Sequence, residues 1–119
     1  MSDDFRRRVA SVCSALPGAE VSDPWGGGHD AWKVGGKMFA LIGAVAEGVA
    51  VKCPDIETAE MLKDAGVGEN AAYLHKSWVR LPEDTEPDEL RHRLLSSYDL
   101  VRAKLPAAIR KTLSPREGE

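Results

Sequence analysis

The feature that most constrains the fold is a pair of apolar segments joined by two glycines. Residues 29–34 and 37–42 flank Gly35-Gly36 in the stretch HDAWKVGGKMFALI. Adjacent glycines tolerate the positive φ angles that a two-residue type I′ turn requires, so this pattern is a strong signal for a β-hairpin. The sequence therefore predicts two antiparallel strands joined by a tight turn, and a sheet built around them.

The segments on either side of this hairpin predict further helices and strands. Pro17-Gly18 ends a first helix, Asp55 is a candidate N-cap of a second, and Pro87 fits the first turn of a third, which Pro106 breaks. Apolar spacing predicts helices over residues 5–16, 55–65 and 87–105, with a final turn or two over 107–113. Strands are predicted over residues 19–22, 29–34, 37–42, 48–53, 71–74 and 77–81.

Length and composition indicate one soluble α+β domain. The chain has 119 residues, enough for a single core, and residues 114–119 are expected to form a frayed tail. It has no apolar run of the roughly 20 residues needed to span a bilayer, and its N-terminus does not resemble a signal peptide. The two cysteines, Cys13 and Cys53, lie in apolar contexts, which favours buried thiols and a cytoplasmic location over a disulfide.

Side-chain alternation sorts the predicted strands into two faces. One face is apolar and is expected to pack on helices; it comprises Trp32, Val34, Val49, Val51, Val79 and Leu81. The opposite face is basic with interleaved aromatic residues; it comprises Lys33, Lys37, Phe39, Lys52, Trp78 and Arg80, and Lys76 extends it. Basic surfaces with aromatic platforms track phosphates and stack bases, so this face is the candidate nucleic-acid site.

Two alternatives to nucleic-acid binding stay open at this point. Lysines on a sheet face also serve simply to keep that face soluble, and Trp78 can pack under the last helix. The same surface suits a small anionic ligand or a protein partner. The net charge of −3 reduces any nonspecific attraction to DNA, so DNA binding is expected to be weak and strongly salt-dependent.

The sequence predicts neither a catalytic group nor a metal or other cofactor. His29-Asp30, His75 and His92 are not spaced as metal ligands, and neither cysteine has an evident base. Residues 26–28 are three glycines, which favour a flexible turn, because no phosphate-binding motif or helix start follows them. Trp25 and Asp30 are expected to fix this loop. We therefore expect a non-enzymatic protein.

Several segments resemble the MmcQ/YjbR family of small bacterial proteins. They occur in the family's order between Phe5 and Pro106, and they are ALPGAE, DPWGGGHDAWKVGGKMFALIG, GVAVKCP, LHKSWVRL and SYDLVRAKLP. Ser77 stands where many relatives have His, and His75 where many have Asn.

This resemblance implies a two-layer sandwich similar to frataxin, with an antiparallel sheet and helices packed on one face. It also implies DNA binding, which is proposed for the family from a double-wing arrangement. It does not imply iron binding, because a shared fold does not carry a site with it, and the first helix here carries three consecutive arginines, Arg6 to Arg8.

Overall fold

The fold is an antiparallel sheet with helices on one face, described by a computed structural model over residues 3–24, 26–44 and 47–116. The elements in that part of the chain are α1 (Asp3–Cys13), β1 (Ala19–Ser22), β2 (Asp30–Val34), β3 (Lys37–Ile42), β4 (Val49–Lys52), α2 (Ile56–Asp64), β5 (Glu69–Asn70), β6 (Trp78–Leu81), α3 (Pro87–Ala103) and α4 (Ala107–Arg110). The strands lie in the order β1-β2-β3-β4-β6-β5, and every neighbouring pair is antiparallel. The predicted α+β class is confirmed.

The local signals for turns and helix ends correspond to the geometry found. Gly35 and Gly36 have φ angles of 57° and 81°, as a type I′ turn requires. The Asp55 side chain accepts a hydrogen bond of 2.7 Å from the Thr58 amide, which caps α2. Pro87 lies in the first turn of α3, where its missing N–H costs no helical hydrogen bond.

The apolar face of the sheet forms the core with the helices. The six residues predicted for this face are all 5% exposed or less. Helix α3 crosses β2, β3 and β4, while α2 packs on β5 and β6 and α1 packs on α3. Leu94 and Tyr98 of α3 and Val9 of α1 complete the core, so the helices lie on one side and leave the opposite face of the sheet uncovered.

Phe39 lies in the core, which corrects its predicted place on the open face. Trp32 pairs with Ala40 but Lys33 pairs with Met38, so Phe39 is the extra residue of a β-bulge. The bulge turns the Phe39 side chain toward the helices, where its ring meets Tyr98 edge-on at 5.3 Å between centroids. The prediction failed because the inserted residue breaks the strict alternation of faces.

The two-residue turn corrects the predicted place of Lys37, because it sets Lys37 opposite Val34 before the bulge is reached. Lys37 is exposed, but it pairs with Val34, a core residue, at the turn end of the hairpin. Residues directly opposite each other in an antiparallel pair share a face. Lys37 therefore belongs to the helix side, and Met38 takes the position beside Lys33 on the open face.

A serine from α3 closes the gap that the bulge leaves between β3 and β4. The pairing of these strands covers Ala40 with Val51 and Leu41 with Ala50. Beyond it, the fully buried Ser97 hydroxyl donates to the Phe39 carbonyl at 2.6 Å and accepts from the Lys52 amide at 2.9 Å. One side chain thus satisfies two backbone groups that the interrupted ladder leaves unpaired.

The strand predicted over residues 71–74 is a turn instead. The partner of β6 at this edge is β5, whose residues Glu69 and Asn70 pair with Arg80 and Val79. Because β5 precedes β6 directly, the chain between them must reverse, and the Leu74 amide bonds to the Ala71 carbonyl at 3.3 Å.

The predicted tail is described as far as Arg116. Residues 114–116 have no regular secondary structure, and the Arg116 guanidinium bonds both carboxylate oxygens of Asp99 at 2.6 Å. Residues 117–119 lie outside the described part of the chain.

Candidate functional site

The open face of the sheet carries four of the seven residues predicted for the site. Register places Lys33 of β2, Lys52 of β4, and Trp78 and Arg80 of β6 on the side away from the helices, and all four are half-buried. Lys76 is exposed in the loop before β6. Ala31, Ala50 and Leu41 lie between these longer side chains, so this face combines basic and aromatic groups with an apolar centre.

The end of this face at the start of β6 holds a lysine beside a tryptophan, and we call it the Lys52 corner (Lys52, His75, Lys76, Ser77 and Trp78). Lys52 and Trp78 are directly opposite each other in the β4–β6 pair. The Lys52 Nζ lies 3.3 Å from the Ser77 Oγ, which lies 2.9 Å from the His75 Nδ1. The ammonium group is therefore held in place by a neutral hydroxyl.

The His75 ring is hydrogen-bonded to both the backbone and the side chain of Ser77. Its Nδ1 lies 3.1 Å from the Ser77 backbone amide, which donates to it, and 2.9 Å from the Ser77 Oγ. The Ser77 hydroxyl can then donate to Nδ1 while it accepts from Lys52. Ser77 is 4% exposed whereas His75 is exposed, so the chain of polar groups runs from the interior of the corner to solvent.

Backbone contacts fix the corner to the sheet. The Cys53 amide donates to the Ser77 carbonyl at 2.7 Å, and the Trp78 amide donates to the His75 carbonyl at 2.9 Å. Sequence analysis did not find the roles of His75 and Ser77. The available signal was that His75, Ser77 and Trp78 are close together in sequence, with polar side chains next to the predicted strand.

Arg80 lies on the same face but its charge is already engaged. Its guanidinium bonds the Glu47 carbonyl at 2.6 Å and a Glu69 carboxylate oxygen at 2.8 Å. A phosphate at this position would have to displace an existing carboxylate. Within the described strands, Lys33 lies directly opposite Glu20 of β1, an acid that is a cross-strand neighbour without forming an ion pair with it.

Within the described residues, Lys52 has no carboxylate at ion-pair distance. In this respect the Lys52 corner differs from the other end of the face, where Arg80 is paired with Glu69. Among the predicted cations, Lys52 is distinguished in the described part of the chain by a hydrogen bond from its ammonium group to a neutral side chain.

The glycine-rich loop before β2 binds its own carboxylate. Asp23 accepts hydrogen bonds from the amides of Gly27, Gly28 and His29 at 3.3, 2.9 and 3.1 Å. The Gly28 bond is the main cause that holds the pKa of Asp23 below its usual value. These amides are the donors that a bound phosphate would need, and the Asp23 carboxylate already accepts from them. The loop is therefore not available as an anion-binding site.

Asp30 fixes this loop, as predicted, through an arginine of α1. Arg6 pairs with the Asp30 carboxylate at 3.1 Å and donates to the Gly28 carbonyl at 2.8 Å. Trp25, which was also predicted to fix the loop, lies outside the described residues.

Both cysteines are buried and free, as predicted. Burial raises the pKa of the Cys13 thiol far above its ordinary value, and it also raises the pKa of Cys53. A raised pKa disfavours the thiolate, so neither thiol is suited to act as a nucleophile at neutral pH.

Other kinds of site have little support in the described part of the chain. No group of three or more His, Cys, Asp or Glu side chains converges there as metal ligands. A shallow groove on the helix side is lined by Pro54, Ser96, Asp99, Leu100 and Ala103, and it includes no residue of the Lys52 corner. The described helices are too short or too polar to cross a membrane.

Comparisons with known proteins identify relatives of the fold. Residues 14–100 match the model of the YjbR family. A crystal structure of the Deinococcus radiodurans protein DR2400, which carries the domain DUF419, an older name for the same family, superposes with a TM-score of 0.77 at 28% identity. That match covers 87% of this chain and 83% of the other. No curated protein matches the chain.

Proposed function

Because this chain belongs to the YjbR family and its uncovered sheet face presents a hydrogen-bonded lysine beside a tryptophan, we propose that it is a cytoplasmic, non-catalytic DNA-binding protein. The proposed interface is the Lys52 corner, and Lys33 makes a smaller contribution to DNA binding. Lys52 and Lys76 contact phosphates, and Trp78 provides an aromatic surface for a base or sugar.

The cross-strand pair of Lys52 and Trp78 is the observation that carries this proposal. Arg80 on the open face is paired with an acid, whereas the Lys52 ammonium group is bonded to the neutral Ser77 hydroxyl. A charge held in one geometry loses less side-chain entropy when it binds a phosphate. An adjacent aromatic ring then adds stacking, which does not depend on base sequence.

The small number of available cations limits the expected affinity for DNA. With about two or three phosphates neutralised, the logarithm of the binding constant should fall with the logarithm of salt concentration with a slope of about −2 to −3. The net charge of −3 opposes binding further. The proposed complex is therefore weak at physiological salt and has little sequence preference of its own.

A small anionic ligand is a second candidate for the same corner. Lys52, Ser77 and His75 form one connected set of polar groups, which a single anion can contact without a long groove. An acidic segment of a protein partner could contact the same polar groups. Both alternatives predict that a free anion or an acidic peptide competes at the corner, whereas neither requires the ring of Trp78 to stack on a base.

A titration with labelled DNA tests the proposal. Fluorescence anisotropy at low salt, with single-stranded and double-stranded oligonucleotides, should give saturable binding at micromolar protein that weakens as salt is added. An absence of binding to both at tens of micromolar protein would refute DNA binding. Competition by phosphate alone with no DNA signal would favour the small-anion alternative.

A further inference from the structure

The loop that leads into the Lys52 corner carries an aromatic residue in an unfavourable backbone conformation. Tyr73 has a φ of 69°, and it is the one residue other than glycine with a positive φ among residues 3–24, 26–44 and 47–116. Bulky side chains rarely adopt this left-handed region, because the Cβ atom approaches the neighbouring carbonyl. Glycine or asparagine would fit the position better.

The strain at Tyr73 is not offset by packing. Its side chain is fully exposed, at 105% of the reference area, whereas Tyr98, the chain's other tyrosine, is completely buried. A tyrosine that packed on the core or bonded a neighbour would have a structural reason to occupy a strained position. The exposed ring of Tyr73 points instead to a role in contact with another molecule.

Hydrogen bonds hold the loop around Tyr73 in one shape. The Leu74 amide bonds the Ala71 carbonyl on one side of it, and Ser77 is tied to both His75 and Cys53 on the other. Tyr73 lies five positions before Trp78, so their Cα atoms are no more than about 18 Å apart. The exposed residues between them include His75 and Lys76.

We propose that Tyr73 is a second stacking platform and that the ligand of the Lys52 corner is single-stranded nucleic acid. This inference rests on the proposed function. Bases in a duplex stack on each other and present only their edges, whereas unpaired bases offer their faces to aromatic rings. Two aromatic residues with Lys76 between them and Lys52 opposite Trp78 therefore suit a flexible single strand better than a rigid duplex.

Two variants of Tyr73 separate stacking from structure. Tyr73→Phe keeps the ring, and Tyr73→Asn removes it while it tolerates the positive φ. The probes are a labelled oligodeoxythymidine and a labelled duplex, measured by anisotropy at one low salt concentration. Met61→Ala is the control, because Met61 is exposed on α2 in the helix layer.

The expected result is that the wild-type protein binds the single strand more tightly than the duplex. Tyr73→Phe should stay within about twofold of it, while Tyr73→Asn should bind the single strand roughly 5- to 150-fold more weakly. The melting temperature of Tyr73→Asn should be unchanged or higher, since strain is relieved.

Three results would overturn the inference and leave the proposed function standing: duplex binding as tight as single-strand binding, an unchanged affinity in Tyr73→Asn, or an equal loss for both probes with a lowered melting temperature. An absence of binding to either probe would overturn the proposed function as well.

Discussion

Two cations on one sheet face, Lys52 and Arg80, differ in what surrounds them. Both lie on the open side of the β4–β6 pair, with Lys52 opposite Trp78 and Arg80 opposite Ala50. Arg80 is paired with Glu69 and bonded to the Glu47 carbonyl, whereas Lys52 is bonded to the neutral Ser77 hydroxyl. A position on the open face is therefore not sufficient to make a charge available to a ligand, because the neighbouring side chains determine whether that charge is already paired.

The largest expected effect concerns the support beneath Lys52. Ser97→Ala would leave the buried Lys52 amide and Phe39 carbonyl without their partner, which costs about 1–3 kcal/mol of the free energy of unfolding. Urea denaturation measures this loss, with Ser96→Ala on the same helix as the control. Equal stability of the two variants would mean that Ser97 does not fix the position of Lys52.

Removal of the aromatic ring next to Lys52 should have the next largest effect. Trp78→Ala should weaken DNA binding by about 1–3 kcal/mol through the loss of stacking, while Trp78→Phe retains most of the affinity. Anisotropy titration measures both variants, and circular dichroism checks the fold because Trp78 is half-buried. If Trp78→Phe loses as much affinity as Trp78→Ala, stacking is not the cause.

The comparison also predicts a gain of affinity at the Arg80 end. Glu69→Gln removes the carboxylate that neutralises Arg80, so DNA affinity at low salt should rise by about two- to fivefold. Glu60→Gln is a matched control, because it makes the same charge change at the Lys63 ion pair of α2. An equal gain in both variants would indicate a general charge effect and would contradict the proposed difference between the two ends.

Lys33 should make the smallest contribution. Glu20 lies directly opposite Lys33 on the neighbouring strand, and its negative charge opposes an approaching phosphate, so Lys33→Ala should lower DNA affinity by less than about twofold. Lys104→Ala, at an exposed helix end, is the control in the same titration. A loss at Lys33 as large as that at Trp78 would move the interface from the corner toward β1 and β2.

The parts of the fold that local chemistry determines were predictable. The Gly35-Gly36 turn, the Asp55 cap and the Pro87 helix start depend on residues adjacent in sequence. The bulge at Phe39 was not predictable from the strand itself. Phe39 and Ala40 are both apolar and both lie in the core, so the apolar pattern of β3 does not mark where the extra residue falls.

The site was predictable in position but not in detail. Alternation placed Lys33, Lys52, Trp78 and Arg80 on one face because the extra residue of the bulge lies on β3, so alternation holds along β2, β4 and β6. The engagement of Arg80 depends on β5, which lies at Glu69–Asn70 and not at 71–74. The exposure of Tyr73 follows from the same change, since residues predicted as a strand form the loop that presents it.

The salt dependence of DNA binding by Lys52→Ala and Arg80→Ala tests the central claim most directly. In a plot of the logarithm of the binding constant against the logarithm of salt concentration, Lys52→Ala should flatten the slope by about one unit, because one phosphate contact is lost. Arg80→Ala should leave the slope unchanged, because its guanidinium already pairs with Glu69. Equal flattening in both variants, or flattening in Arg80→Ala alone, would contradict the account.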